Sequence, residues 1–203
     1  VYGVKIDGII GYAFFNRYVV KLNFDNFKME IYSPGRIVYP NGGTTLRPIF
    51  TSLPIQYMQL KDKRKVGFNF YIDSGAGLCF LISDQFEKDS AILLRKRKPV
   101  ITQAEGMGGK MQMRLTVIRE MRLGPYKFHQ VPTYLYKDIY NVTSYPFVGG
   151  LVGNEILRRF NLVINYPQRE IHLLPNTHFG DAFEYGYTGF SIYLIDGKIL
   201  VED

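Results

Sequence analysis

Apolar and polar residues alternate along much of this chain, with the period of two expected of strands buried on one face. Residues 53–60 and 66–72 alternate on either side of the charged turn Lys61-Asp62-Lys63-Arg64-Lys65, which predicts a hairpin whose second strand runs into Asp73. Residues 111–123 and 127–136 read as two more strands, preceded by a glycine-rich tip, Glu105-Gly106-Met107-Gly108-Gly109-Lys110. Residues 83–94 read as a short helix with Ser83-Asp84 at its N-cap, and residues 137–147 as a loop. Pro34-Gly35, Pro40-Asn41-Gly42-Gly43 and Pro48 mark residues 34–52 as a connection. The expected class is all-β and mainly antiparallel, with a few short helices.

The pattern also repeats. Asp7-Gly8-Ile9-Ile10-Gly11-Tyr12 reads like Gly149-Gly150-Leu151-Val152-Gly153-Asn154, and the likeness runs on through Asn23 and Asn165. Gly8 and Gly150, Gly11 and Gly153, Arg17 and Arg159, and Asn23 and Asn165 are identical at one offset of 142 residues. A period that long marks a duplicated lobe, not a solenoid. In each copy an apolar-apolar-Gly strand end runs into a short helix, which carries Leu157 and Phe160 in the second copy. A hairpin follows, turning at Asp25-Asn26 or at Pro167-Gln168.

Chemistry enters at Phe70-Tyr71-Ile72-Asp73-Ser74-Gly75-Ala76-Gly77. An apolar strand that stops on Asp-Ser-Gly can hold one carboxylate at the mouth of a cleft, and the small residues let the backbone turn and a substrate approach. Taken alone, the same residues also suit an ordinary turn. The segment resembles the signature of the pepsin and retropepsin superfamily of aspartic peptidases, and Ile9-Ile10-Gly11 and Leu151-Val152-Gly153 resemble its second half-signature.

That resemblance implies a closed, barrel-like acid-protease lobe and peptide hydrolysis by water activated between two Asp carboxylates. Asp73 would be one of them, Ser74 would brace the paired loops and Gly75 would offer backbone contacts. Ala76 and the hairpin tip Gly106, Gly108 and Gly109 would meet the substrate. Leu151, Val152 and Gly153, with Ile9, Ile10 and Gly11, would support the active-site loops. The partner of Asp73 is expected about 142 residues before it, roughly 70 residues upstream of Val1. The chain therefore reads as a fragment, inactive alone. Residues 1–33 would end a first lobe, 34–52 link the lobes, and 53–176 form the complete second lobe. Residues 177–203 resemble the opening of a PDZ domain, as in bacterial two-lobe enzymes of this kind, with Thr188-Gly189-Phe190-Ser191-Ile192 at the carboxylate-binding loop. A C-terminal hairpin packed on the second lobe is the other reading of that tail.

Composition changes the picture little. The 203 residues are 46% hydrophobic, with sixteen Tyr and fifteen Phe, a balance that suits sheets. No run of eighteen apolar residues offers a membrane span. The net charge of +7 gathers at Lys61–Lys65 and Arg95-Lys96-Arg97-Lys98. Aromatic-basic interleaving and a recognition helix are both missing, so these runs read as solvated faces and not as a nucleic-acid site. Cys79 alone excludes an internal disulfide and reads as a buried hydrophobe. The three histidines have no ligand spacing. No cofactor and no metal are expected.

The partners expected are a peptide or protein substrate and either the upstream lobe or a second subunit. The basic pI favours a cell-envelope, periplasmic or secreted setting. Three functions fit: a two-lobe aspartic endopeptidase, a retropepsin-like homodimer, and a silent protease-like and PDZ-like peptide-binding module.

Overall fold

A computed structural model describes residues 7–35, 37–94, 98–106, 109–184, 191–195 and 198–202. It is built of strands with three short helices, α1 (Tyr12–Phe15), α2 (Asp84–Ser90) and α3 (Asn154–Leu157). The predicted hairpin is β5 (Pro54–Lys61) and β6 (Lys65–Ile72). Its inward positions are the apolar members of the alternation, so Met58, Leu60, Phe70 and Ile72 are buried. Eight strands join one sheet in the order β4 (Ile49–Phe50), β5, β6, β11 (Gly150–Val152), β7 (Phe80–Ser83), β10 (Tyr126–Tyr136), β9 (Gly109–Leu123), β8 (Val100–Gly106). An added pairing of β5 with β9 curls most of that sheet into a partly closed ring. Pairings are antiparallel except β6 with β11 and β7 with β10.

Two local expectations need correcting. Helix α2 is capped by Ser83, whose Oγ accepts from Phe86 N–H, but it stops at Ser90 and not at residue 94. Ala91 turns left-handed there (φ 46°) and carries Ile92 into the core. Phe160 lies outside α3 and opens strand β12 (Phe160–Asn165), because the chain must extend at once to pair in the second sheet.

That second sheet has the order β2 (Lys28–Tyr32), β1 (Val19–Asn23), β12, β13 (Glu170–Pro175), β3 (Thr44–Leu46). Its centre gives the repeat a spatial meaning. Lys21 stands opposite Val163, its own counterpart in the repeat, while Val20 faces Ile164 and Leu22 faces Leu162. A local two-fold axis therefore passes between β1 and β12, and β2 is the counterpart of β13. The tail forms a separate two-stranded ladder, β14 (Ser191–Ile195) with β15 (Lys198–Glu202). The basic run Arg95-Lys96-Arg97 and the segment 185–190, including Thr188-Gly189-Phe190, lie outside the described residues. No helix among the described residues is long and apolar enough to cross a membrane.

Candidate active site

Strand β6 delivers Asp73 to the end of the ring. The two residues before it are paired in parallel with β11, Tyr71 with Leu151 and Ile72 with Val152. The Asp73 N–H then donates to the Val152 carbonyl at 3.0 Å, so the ladder reaches the carboxylate itself. Beyond Asp73 the loop folds back on its own side chain. The Gly75 N–H donates to Asp73 Oδ1 at 2.9 Å, and a Cβ at Gly75 would lie 3.3 Å from that oxygen. Asp73 Oδ2 has no hydrogen-bond partner among the described residues. The side chain is half-buried, neither sealed in the core nor free in solvent.

The loop rests on the chain around Gly153. Gly153 N–H donates to the Cys79 carbonyl at 2.9 Å, and Asn154 N–H donates to the Ala76 carbonyl at 2.7 Å. The contact admits no side chain: a Cβ on Gly153 would sit 2.1 Å from the Leu78 carbonyl oxygen, and one on Gly150 would sit 1.9 Å from that of Leu81. The twin glycines of the first copy are open, since nothing lies within 4 Å of a Cβ on Gly8 or Gly11. None of the three bonds that Val152, Gly153 and Asn154 make to the Asp73 loop has a counterpart at Ile10, Gly11 or Tyr12 among the described residues. Ile9 and Ile10 are 69% and 53% exposed, whereas Val152 is fully buried.

The structure brings the Asp73 loop and the first copy's Gly8-Ile9-Ile10-Gly11 to one cavity. A space of about 470 Å³ opens beside Asp73, Ser74 and Gly75, and residues 8–11 form part of its wall. The rest of the lining is mainly apolar and includes Tyr12, Leu53, Ile164 and Tyr166. Leu53 and Tyr166 carried no motif, and only the meeting of the two sheets reveals them. Tyr166 is the most informative: its hydroxyl donates to the Ser52 carbonyl at 3.2 Å, and Phe50 and Tyr12 stack edge-on against its ring. Burial pushes its phenol up to about 12, with the charges of Tyr12 and Asp73 adding to the effect.

Gly106 and Gly109 face each other as the last pair of the β8–β9 hairpin, and Gly108 lies outside the described residues. Ala76 contributes its carbonyl to Leu78 and Asn154 N–H groups. Cys79 is buried, and burial pushes its thiol up to about 12, so no reactive thiolate stands near the loop. Among the described residues no cluster of His, Cys, Asp and Glu could hold a metal ion.

Residues 58–156 match a family model described as aspartyl protease. That stretch contains both Asp73 and Leu151-Val152-Gly153, and the match supports an aspartic-protease relationship for it. Among solved structures the chain is similar to a retropepsin-like aspartic protease from Rickettsia conorii, at 15% identity and a TM-score of 0.47, over 66% of this chain and 100% of that one. No curated protein matches the chain.

Proposed function

We propose that the chain is part of an aspartic endopeptidase in which Asp73, in the second lobe, supplies one of two carboxylates and the first lobe, mostly upstream in the same polypeptide, supplies the other. One observation carries the reading. The Asp73 loop sits on Val152, Gly153 and Asn154, while the same backbone positions of the first copy stand open beside the same cavity. A second Asp-bearing loop seated on Ile10, Gly11 and Tyr12 would face Asp73 across the local two-fold axis.

The chemistry follows from that pairing. Two carboxylates a few ångströms apart cannot both ionise, so they share one proton. The ionised member takes a proton from a water lying between them, and that water attacks the scissile carbonyl. The protonated member donates to the carbonyl oxygen, and the leaving nitrogen departs protonated. Within this chain Gly75 N–H fixes the carboxyl plane through Oδ1, and Oδ2 is left to meet water. Ser74 lines the cavity, and its hydroxyl has no protein partner among the described residues, which suits a group that braces an opposing loop. The hairpin tip at 106–109 is proposed to cover the substrate once it is bound.

On this reading residues 1–33 complete the first lobe, 34–52 join the lobes, 53–176 form the second, and 177–203 begin a peptide-binding module. A homodimer with Asp73 facing its symmetry mate is disfavoured by the register of β1 on β12, because the two-fold axis it needs is already used inside one chain. The test is cleavage of a peptide library, read by mass spectrometry from acid to neutral pH, by the polypeptide carrying its upstream residues. Asp73→Asn should lower the rate by orders of magnitude. Cleavage that survives the substitution would remove Asp73 from the mechanism. No cleavage at any pH would favour the silent binding module.

A further inference from the structure

We infer that the cleft between the β5–β6 turn, helix α2 and the root of the β8–β9 hairpin binds a small phosphate monoester. Its dianionic head lies among Lys63, Arg64 and Lys88, and its apolar stem lies on Leu93 and Leu94. The cleft shares no lining residue with the cavity at Asp73, and the inference does not depend on the proposed peptidase function.

In the sequence these cations belong to separate stretches: the turn at 61–65, helix α2 and strand β9. Folding gathers them round one open space of about 400 Å³. Lys63, Arg64, Lys88 and Arg114 line it, and Glu87 is the only acid among its described lining residues. Arg114 is already engaged, since its Nη2 donates to Asp84 Oδ1 at 2.7 Å and fastens β9 to the start of α2. Lys63, Arg64 and Lys88 are exposed, and none of their side chains makes a hydrogen bond or ion pair with a described residue. Setting the Asp84 and Glu87 carboxylates against the four cations leaves a surplus of two positive charges. A phosphate monoester is close to doubly negative at neutral pH, so the charges match. Arg64 offers a planar fork for two of its oxygens, and the lysines act as point charges.

Exposed lysines alone would make no site, but here the backbone that carries them is fixed. Asp62 is buried behind the turn, where its Oδ2 accepts from Leu94 N–H at 2.9 Å and its Oδ1 from Arg119 N–H at 3.3 Å. Lys63 N–H donates to the Ile92 carbonyl at 2.9 Å, which ties the turn to the chain leaving α2. Buried Phe86 anchors α2 itself, and two carbonyls of its last turn are already taken, Glu87's by Ala91 N–H and Phe86's by Ser90 Oγ. Ile92 is sealed in the core, whereas Leu93, Leu94 and Pro99 are half-buried and leave apolar surface beside the cations. A bare phosphate would leave that surface in water, and a ligand with an apolar stem would cover it. Clefts of this size, part apolar with a few convergent charges, take small ligands.

The probes are hexyl phosphate, inorganic phosphate and hexanol, titrated into the chain and followed by its amide NMR signals. Hexyl phosphate should shift amides in all three walls, at 63–64, 88–94 and 114, and bind at least tenfold more tightly than either other probe. Its affinity should fall as salt rises. Lys63→Ser combined with Lys88→Ser should raise the Kd at least tenfold while the far-UV circular dichroism and the urea midpoint stay unchanged. Arg17→Ser combined with Lys28→Ser removes the same charge from exposed positions of the first copy and should leave the Kd as it was. No shift at millimolar hexyl phosphate would overturn the inference. Equal weakening by the two double variants would also overturn it, because only the net charge would then be felt. Inorganic phosphate binding as tightly would mean an adventitious ion only, and hexanol binding as tightly would mean an apolar crevice without an anion site.

Discussion

The twin glycines offer a matched pair of substitutions with opposite expected outcomes. In Gly153→Ala the new Cβ would lie 2.1 Å from the Leu78 carbonyl oxygen and 2.7 Å from that of Ala76, where real Cβ atoms essentially never come within 3.0 Å. Both obstacles are backbone, so the strand end and the Asp73 loop must separate by about 1 Å, a shift large enough to weaken hydrogen bonds. Overpacking of this kind costs about 1–3 kcal/mol. The bonds from Gly153 N–H to Cys79 and from Asn154 N–H to Ala76 cross the same gap, and weakening them adds about 1 kcal/mol each. The smaller backbone entropy of alanine in the unfolded chain returns about 0.4–1 kcal/mol. The expected net loss is about 2–4 kcal/mol. Gly11→Ala meets nothing within 4 Å, at an extended backbone (φ −122°), so only the entropy change remains and stability should be unchanged or slightly higher. Urea unfolding followed by far-UV circular dichroism reads both. With a slope of about 2 kcal/mol/M, Gly153→Ala should move the midpoint down by about 1–2 M and Gly11→Ala hardly at all. Equal losses in the two variants would refute the reasoning, since they would mean that the two copies are equally covered. If a second loop is seated on Gly11, as proposed, Gly11→Ala in a polypeptide that carries that loop should acquire the cost that Gly153→Ala has here.

Burial is the main cause that holds the His172 imidazole below its ordinary value, against the Pro40 carbonyl and the Glu170 charge. The folded state therefore prefers neutral His172, and its contribution is present above about pH 6.5 and lost as the pH falls through the folded value. His172→Gln should flatten the fall in melting temperature between about pH 7 and 5, and an unchanged slope would assign the fall to other groups. Arg159 Nε donates to the Glu155 carbonyl, its terminal nitrogens reach the carbonyls of His178, Phe179, Asp181 and Ala182, and its guanidinium lies 4.1 Å from the Phe183 ring centre. Arg159→Met should cost about 2–4 kcal/mol and open residues 176–184 to limited proteolysis. Lysine should rescue little, and full rescue by lysine would count against the fork of bonds. Cys79 should resist iodoacetamide in the folded chain and react only as urea unfolds it, because its thiol is both buried and held near 12. Labelling of the folded chain at the rate of a free thiol would contradict that burial.

What the sequence disclosed and what it hid divide along a physical line. The hairpin β5–β6, the Ser83 cap and the seat of Asp73 on Leu151-Val152-Gly153 are written in local patterns: alternation, a capping hydroxyl, and a glycine where backbones meet. The cavity wall of Tyr12, Leu53 and Tyr166 is not, since each is an ordinary apolar or aromatic residue until two sheets bring them together. The repeat lies between these cases. At the level of sequence it says only that Gly8-Ile9-Ile10-Gly11 and Gly150-Leu151-Val152-Gly153 are alike. The structure adds that identical glycines have unlike surroundings, one pair pressed against carbonyl oxygens and the other open. A glycine costs backbone entropy wherever it stands, so two open glycines at the positions of two crowded ones are unexplained by the contacts inside this chain. They are explained if the first copy is read as half of a contact. The same holds for Met29 and Ile31 beside Ile171 and Leu173. Both asymmetries fall in the first copy of the repeat, as one body covering that copy would require.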